Sequence, residues 1–278
     1  MTTVAASRPA PASAWFPLAA RELRRYVTNP VFLAGVVLAA YGIRTAHRTV
    51  AIDVDTFVTF PATYLGGFGL IAAFWLTRSM HRSSAVVDIA PTEMPARTAA
   101  ICAVAVVPFL LSLIDLVVIA RFQPVAGSFA WGTFSVSGRA AVLISQIVLP
   151  ALGGPLLGVA LGRWVRFPGA GFVFVLVCWG WMTLAYLLST AHRDAVPFRL
   201  LRLFSPFTFF TFQKDNGQIV TWGGQPWCYA GWQLCLCAIA LLAAMLRGAD
   251  GVARRRILGG LTAASVAAVV LYALAVAL

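Results

Sequence analysis

Long apolar stretches separated by arginines constrain this chain more than any other feature of its sequence. Seven stretches follow Pro30, at about residues 31 to 46, 57 to 77, 99 to 120, 139 to 162, 168 to 190, 227 to 246 and 257 to 277. Six of them approach or exceed the roughly 18 residues that an apolar helix needs to cross a bilayer. With 60% hydrophobic and 11% charged residues, the sequence predicts an all-α fold, a polytopic transmembrane helix bundle of six to seven spans.

The basic residues lie between these stretches, which argues against a nucleic-acid partner despite the net charge of +12. If connections alternate between sides, thirteen basic residues share one side: Arg8, Arg21, Arg24, Arg25, Arg78, Arg82, Arg97, Arg163, Arg166, Arg247, Arg254, Arg255 and Arg256. Eight share the other: Arg44, Arg48, Arg121, Arg139, Arg193, Arg199, Arg202 and Lys214. The positive-inside rule then predicts a multi-pass protein of the cell membrane with a cytoplasmic N-terminus.

The N-terminal part is predicted to lie outside the bilayer core. Residues 1–14 are rich in Pro, Ala and Ser and are expected to form a flexible tail, followed by a single transmembrane domain over residues 15–278. Residues 15–28 have helical periodicity, with Trp15 on an apolar face and Arg21, Arg24 and Arg25 on the other. This pattern predicts an interfacial amphipathic helix, or a charged flank that only fixes topology.

The sequence gives no sign of enzyme chemistry. A P-loop requires G-x-x-x-x-G-K-[ST], and the only lysine, Lys214, stands between Gln213 and Asp215. The motifs H-E-x-x-H and G-x-S-x-G are also absent. We therefore expect no catalytic residue, no metal site and no cofactor in this chain.

Asp115 is the acidic residue deepest within an apolar stretch, and Gln146 is predicted at a similar level of the next one. An intramembrane carboxylate is costly, which makes Asp115 a candidate for a proton relay or a cation contact. The alternative is a structural ion pair with Arg139 or Arg121.

Glycine recurs every four residues at Gly154, Gly158 and Gly162. This spacing places three small residues on one helix face, where another helix backbone can approach closely. The neighbour is either another helix of this chain or a second protomer.

Two connections are long enough to bind a partner. Residues 78–98 alternate charges around Pro91 and Pro95, which suits a short helix that docks on a soluble protein. Residues 192–226 lie on the other side and are rich in Phe and Trp, so they are expected to lie in the outer interface or to cap a cavity.

The chain resembles the permeases of the ATP-binding-cassette type 2 (ABC-2) exporter family, in their actinobacterial form. The resemblance runs from about Trp15 to Leu246 and is carried by the order of the apolar stretches and by the phrases VVDIAPTEMPARTAA, LGVALGRWVRFPGAG and LFSPFTFF. It implies six spans, so the stretch at 257 to 277 departs from the pattern. It also implies a coupling helix that docks on an ATPase, formed around Arg82, Asp88, Ala90, Pro91, Glu93 and Arg97.

The resemblance further implies the partners of the chain. Two copies of an ABC-type ATPase subunit would bind ATP and Mg, and a second permease, identical or related, would complete the path within membrane lipid. The chain would then be the transmembrane permease subunit of an exporter. Its apolar spanning surface and aromatic outer segment would suit a lipophilic or amphipathic molecule, such as a drug, antibiotic, lipid or peptide, but those features occur in any membrane bundle and do not identify the substrate. A proton-coupled secondary transporter or channel that uses Asp115 is the alternative.

Overall fold

The structure is a computed structural model that describes residues 15–48, 61–82, 94–122, 135–191, 200–201, 203–204, 212–215, 218–221 and 224–277. Its first helices are α1 (Trp15–Val27), α2 (Pro30–Arg48) and α3, a π-helical segment (Pro61–Phe68) continued by Gly69–Arg82. Helix α4 combines Met94–Cys102, a 3-10 turn (Ala103–Ala105) and Val106–Phe122. Helix α5 combines Val136–Leu143, a π-helical segment (Ile144–Val148) and Leu149–Trp164.

The C-terminal half continues with α6 (Ala170–Ala191), the strands β1 (Phe212–Asp215) and β2 (Gln218–Thr221), then α7 (Pro226–Leu246) and α8 (Gly251–Ala277). The strands form an antiparallel hairpin in which Phe212 lies opposite Thr221. The chain is otherwise helical in the described ranges, so the predicted helical architecture is confirmed, with one hairpin that the sequence did not predict.

A sharp bend separates α1 from α2. The two helix axes differ by 61°, and the side-chain oxygen of Asn29 accepts a hydrogen bond from the backbone N–H of Val31 at 2.9 Å. Pro30 occupies the first position of α2, where a missing N–H costs nothing. Asn29 and Pro30 therefore redirect the chain between the two helices.

Within the described residues, four helical segments are long and apolar enough to cross a membrane: Ala96–Val118, Val136–Trp164, Pro226–Leu246 and Gly251–Ala277. The bent pair α1 and α2 gives a fifth if it is counted as one broken span. Each predicted apolar stretch has a helix in its described part, but only these four or five candidates are both long enough and apolar enough to span a membrane. This composition is compatible with a membrane location.

The core forms where α3 packs against α5 and α5 packs against α7, which in turn lies along α8. Leu70, Ala72, Ala73 and Phe74 of α3 are fully buried. Helix α3 therefore packs most of its circumference against other helices, and Trp75, at 47% exposed, lies on its open side.

Candidate functional site

Arginines at the ends of five helices lie at one end of the bundle, which we call the arginine-rich end: Arg25 of α1, Arg78 of α3, Arg97 of α4, Arg163 and Arg166 at the end of α5, and Arg247 at the end of α7. Helix α1 enters this group through Arg25, which forms an ion pair with Glu22 at 3.0 Å. The same guanidinium donates to the Ser79 hydroxyl at 3.0 Å. Arg25 therefore ties the N-terminal helix to the last turns of α3.

The buried face of helix α1 differs from the simple apolar face that its periodicity suggests. Ala19, Glu22 and Tyr26 are its buried residues, whereas Phe16 is 75% exposed. Arg21, Arg24 and Arg25 are exposed, as is Trp15 at 37%. The helix thus packs through a narrow stripe that includes one carboxylate.

The ends of α3 and α5 are also joined by an arginine. Arg78 donates from Nη1 to the backbone carbonyl of Arg166, and its guanidinium lies 5.8 Å from the centre of the Phe74 ring. Because Arg166 follows the last turn of α5, this contact fixes the two helix ends against each other.

The last turns of α5 and α7 meet around Trp164. Its indole Nε1 donates to the carbonyl of Ala243 at 2.8 Å, and the Arg247 guanidinium lies 5.8 Å from its ring centre. Arg163, the preceding residue, is 3% exposed. A buried arginine at this position is a feature that reasoning from the sequence missed, because flanking arginines usually reach solvent.

The predicted coupling residues fall largely outside the described part of the chain, which excludes Asp88, Ala90, Pro91 and Glu93 and the side chain of Arg82. Arg97 is described: it lies in the first turns of α4 and is 8% exposed. The segment Met94–Cys102 that carries it contacts α1, α5 and α7. Arg97 is therefore packed among these helices and does not present a freely exposed charge.

Of the two arginines proposed as partners of Asp115, only Arg139 has a described side chain. The Ser112 hydroxyl donates to the carbonyl of Phe109 in its own helix at 2.7 Å. No ion pair joins Asp115 to Arg139 within the described ranges, and the side chain of Arg121 lies outside them. Gln146 is 3% exposed, and its amide nitrogen has no hydrogen-bond partner in this part of the structure.

Gly154, Gly158 and Gly162, which we call the glycine stripe of α5, face α3 of the same chain. A Cβ added to Gly154 would overlap the carbonyl of Gly66, and one added to Gly158 would overlap that of Leu70. At Gly162, the added Cβ would lie 2.8 Å from Cβ of Thr77. Of the two neighbours left open by the spacing, the structure places the intramolecular one against these glycines.

These contacts connect the parts of the arginine-rich end into one unit. Helix α1 is tied to α3, α3 is packed closely on α5, and the end of α5 is linked to α7. Comparisons of the chain with protein-family models, curated proteins and solved structures find no match.

Proposed function

We propose that this protein is the transmembrane permease subunit of an ABC exporter, which forms the translocation path while a separate ATPase binds ATP and Mg. The observation that carries the proposal is the linkage at the arginine-rich end. The 83–93 connection joins α3 to α4, and both of these helices contact α1. A protein that binds this connection would therefore act on three helices at once.

The glycine stripe gives that action a route into the bundle. Since α3 and α5 approach at backbone distance, they cannot slide freely past each other. A displacement of α3 would carry α5, and the contacts of Trp164 would carry the end of α7. Such a rigid-body shift between packed arrangements is how a bundle converts partner movement into opening.

The proposed membrane arrangement has six to seven spans, with the arginine-rich end in the cytoplasm and α1 along that interface. Helices α3 and α6 would cross in addition to the four or five apolar candidates. Helix α3 can be less apolar than those candidates, because its buried residues contact protein and not lipid acyl chains.

A reporter active only in the cytoplasm should work after Arg166 and fail after Gln218. The reverse pattern would invert the arrangement.

The proposed assembly contains two ATPase subunits and a second permease, identical or related. Apolar residues exposed on α6 and α8 suit contact with lipid or with that second permease, among them Val177 at 61% and Val269 at 69%.

The substrate class we favour is lipophilic or amphipathic, in keeping with the apolar helices and the aromatic outer segment. In that segment, Phe204 contacts the rings of Trp232 and Tyr272 at centroid distances of 6.5 and 6.0 Å.

The docking proposal predicts that removing two carboxylates disconnects the partner. Replacing Asp88 and Glu93 together with alanine should abolish copurification of an ATPase from the native membrane, because charged contacts on the connection would be lost. Arg97 stays unchanged, since its burial makes its replacement a folding variant. Yield and detergent-extracted monodispersity should remain those of the wild type.

The matched control removes two carboxylates from a connection on the opposite side. Asp53 and Asp55 precede α3 in the sequence, and their double alanine variant should retain the ATPase. Undiminished copurification after the Asp88 and Glu93 replacements would argue against docking at this connection. Loss in both variants would show only a general effect of charge.

A proton-coupled transporter or channel is the second candidate, and Asp115 favours it. This residue lies within the span Ala96–Val118 and forms no ion pair with Arg139 in the described ranges. A carboxylate in that position is available to take up and release a proton.

The replacement Asp115→Asn distinguishes the two functions. We expect the variant to fold as well as the wild type, because no ion pair with Arg139 is lost, and to retain ATP-driven transport in reconstituted vesicles. If it instead folds normally but loses transport driven by an imposed pH gradient, the secondary transporter is supported. A drop in stability without a change in transport per folded molecule would instead support a structural role for Asp115, as the ion-pair partner of Arg121.

A further inference from the structure

Arg163 is a buried cation for which the described chain supplies no counter-ion. Its side chain is 3% exposed, and its Nε is buried without a hydrogen-bond partner in the described residues. The ion pair of Arg25 with Glu22 does not involve it. Because a buried guanidinium is costly unless an anion or several acceptors surround it, the site is incomplete as it stands.

The neighbours of Arg163 make the need for an anion stronger. Among the described residues, Arg247 is close enough to Arg163 to interact with it electrostatically, and it carries the same charge. The Arg247 guanidinium is held at Trp164, beside Arg163, by its contact with the indole ring. Two like charges brought together in this way repel each other unless an anion bridges them.

We propose that the phosphate of an anionic phospholipid headgroup binds at this place, between Arg163 and Arg247. The site lies in the last turns of α5 and α7, at the level where a spanning helix meets the headgroups. Trp164 is 52% exposed beside it and offers apolar surface to the glycerol and upper acyl chain. Basic pockets between spanning helices on the cytoplasmic side are a known mode of anionic lipid recognition.

Carboxylates of the described chain do not explain the site as well. Glu22 is engaged by Arg25 at 3.0 Å, and Asp115 lies in the second half of α4, far along that helix from Cys102. Asp250 is exposed and forms no ion pair with Arg247 within the described ranges. A lipid phosphate offers several acceptor oxygens at once, which suits two guanidinium groups.

The test uses the full chain purified in a neutral maltoside detergent. Phosphatidylglycerol, phosphatidylcholine and inorganic phosphate are added separately, and native mass spectrometry and thermal unfolding report binding. Phosphatidylglycerol should remain bound and raise the unfolding temperature more than the other two probes. Arg163→Gln and Arg247→Gln should each weaken this binding on the order of tenfold, the loss expected for one charged hydrogen-bonding group.

Arg254→Gln is the matched control, because Arg254 is an exposed arginine of α8 near the same end, and it should bind the lipid like the wild type. Unchanged phosphatidylglycerol binding in Arg247→Gln would overturn the proposal, and this variant decides the question even if Arg163→Gln does not fold. Equal stabilisation by inorganic phosphate would show a free-phosphate site instead. The double replacement Asp88→Asn and Glu93→Gln is also made in the wild-type chain and in Arg163→Gln, both without lipid. If it lowers the unfolding temperature of the wild-type chain but not that of Arg163→Gln, the counter-ion belongs to the chain and the proposal is wrong.

Discussion

Gly158→Ala is expected to destabilise the folded protein by about 3 kcal/mol, the upper end of what overpacking usually costs. The new methyl group would overlap the backbone carbonyl of Leu70, which cannot rotate away as a side chain end does. Relief requires α3 and α5 to separate, and Gly154 and Gly162 hold the same pair together on either side. The added methyl group therefore weakens the packing of α3 against α5 along the whole length of their contact.

Thermal unfolding with a thiol-reactive dye measures this effect directly in detergent. Cys102, Cys178 and Cys237 are buried, so their reaction with the dye reports loss of the core. Gly158→Ala should unfold well below the wild type and give a lower yield of monodisperse protein.

Gly180→Ala is the matched control for this prediction. Both glycines lie inside helices, but nothing lies within 4 Å of a Cβ added to Gly180. Alanine there should leave stability unchanged or raise it by up to about 1 kcal/mol, because alanine favours the helix over glycine. Equal losses in both variants would mean that close packing of α5 on α3 does not explain the sensitivity.

The glycine stripe also shows how far the sequence alone reaches. A spacing of four residues is enough to predict that Gly154, Gly158 and Gly162 share a face, because helix periodicity decides it. Which backbone fills that face depends on tertiary packing, and no local signal distinguishes α3 from a second protomer. The helical fold was predictable for the same reason, since hydropathy and length act within each segment.

The arginine-rich end illustrates what local patterns miss. The positions of Arg97 and Arg163 beside apolar stretches indicate a boundary, yet the structure buries both side chains. Burial of a charged residue depends on which helices surround it, and Arg163 lies where α5 approaches α7. The π-helical segments in α3 and α5 and the hairpin of β1 and β2 were likewise absent from the sequence prediction.

Tyr26 carries the second large effect, because it anchors α1 in the core. Its side chain is fully buried, its ring centre lies 4.4 Å from that of Phe32, and its hydroxyl reaches the space above Gly69 of α3. Tyr26→Ala should cost about 3 to 5 kcal/mol, as the removal of a buried aromatic ring usually does. The same thermal assay measures the loss.

Tyr26→Phe separates packing from hydrogen bonding at this position. The hydroxyl is buried and has no hydrogen-bond partner among the described residues, so its removal should leave stability unchanged or raise it by about 1 kcal/mol. A loss as large as that of Tyr26→Ala would show that the hydroxyl is bonded after all. Under the proposed function, Tyr26→Ala has a second consequence, because α1 would keep its Arg25 contacts but lose its place against α3 and α4. Protein that still folds at low temperature should then bind the ATPase and fail to couple hydrolysis to transport, whereas Tyr26→Phe should couple like the wild type.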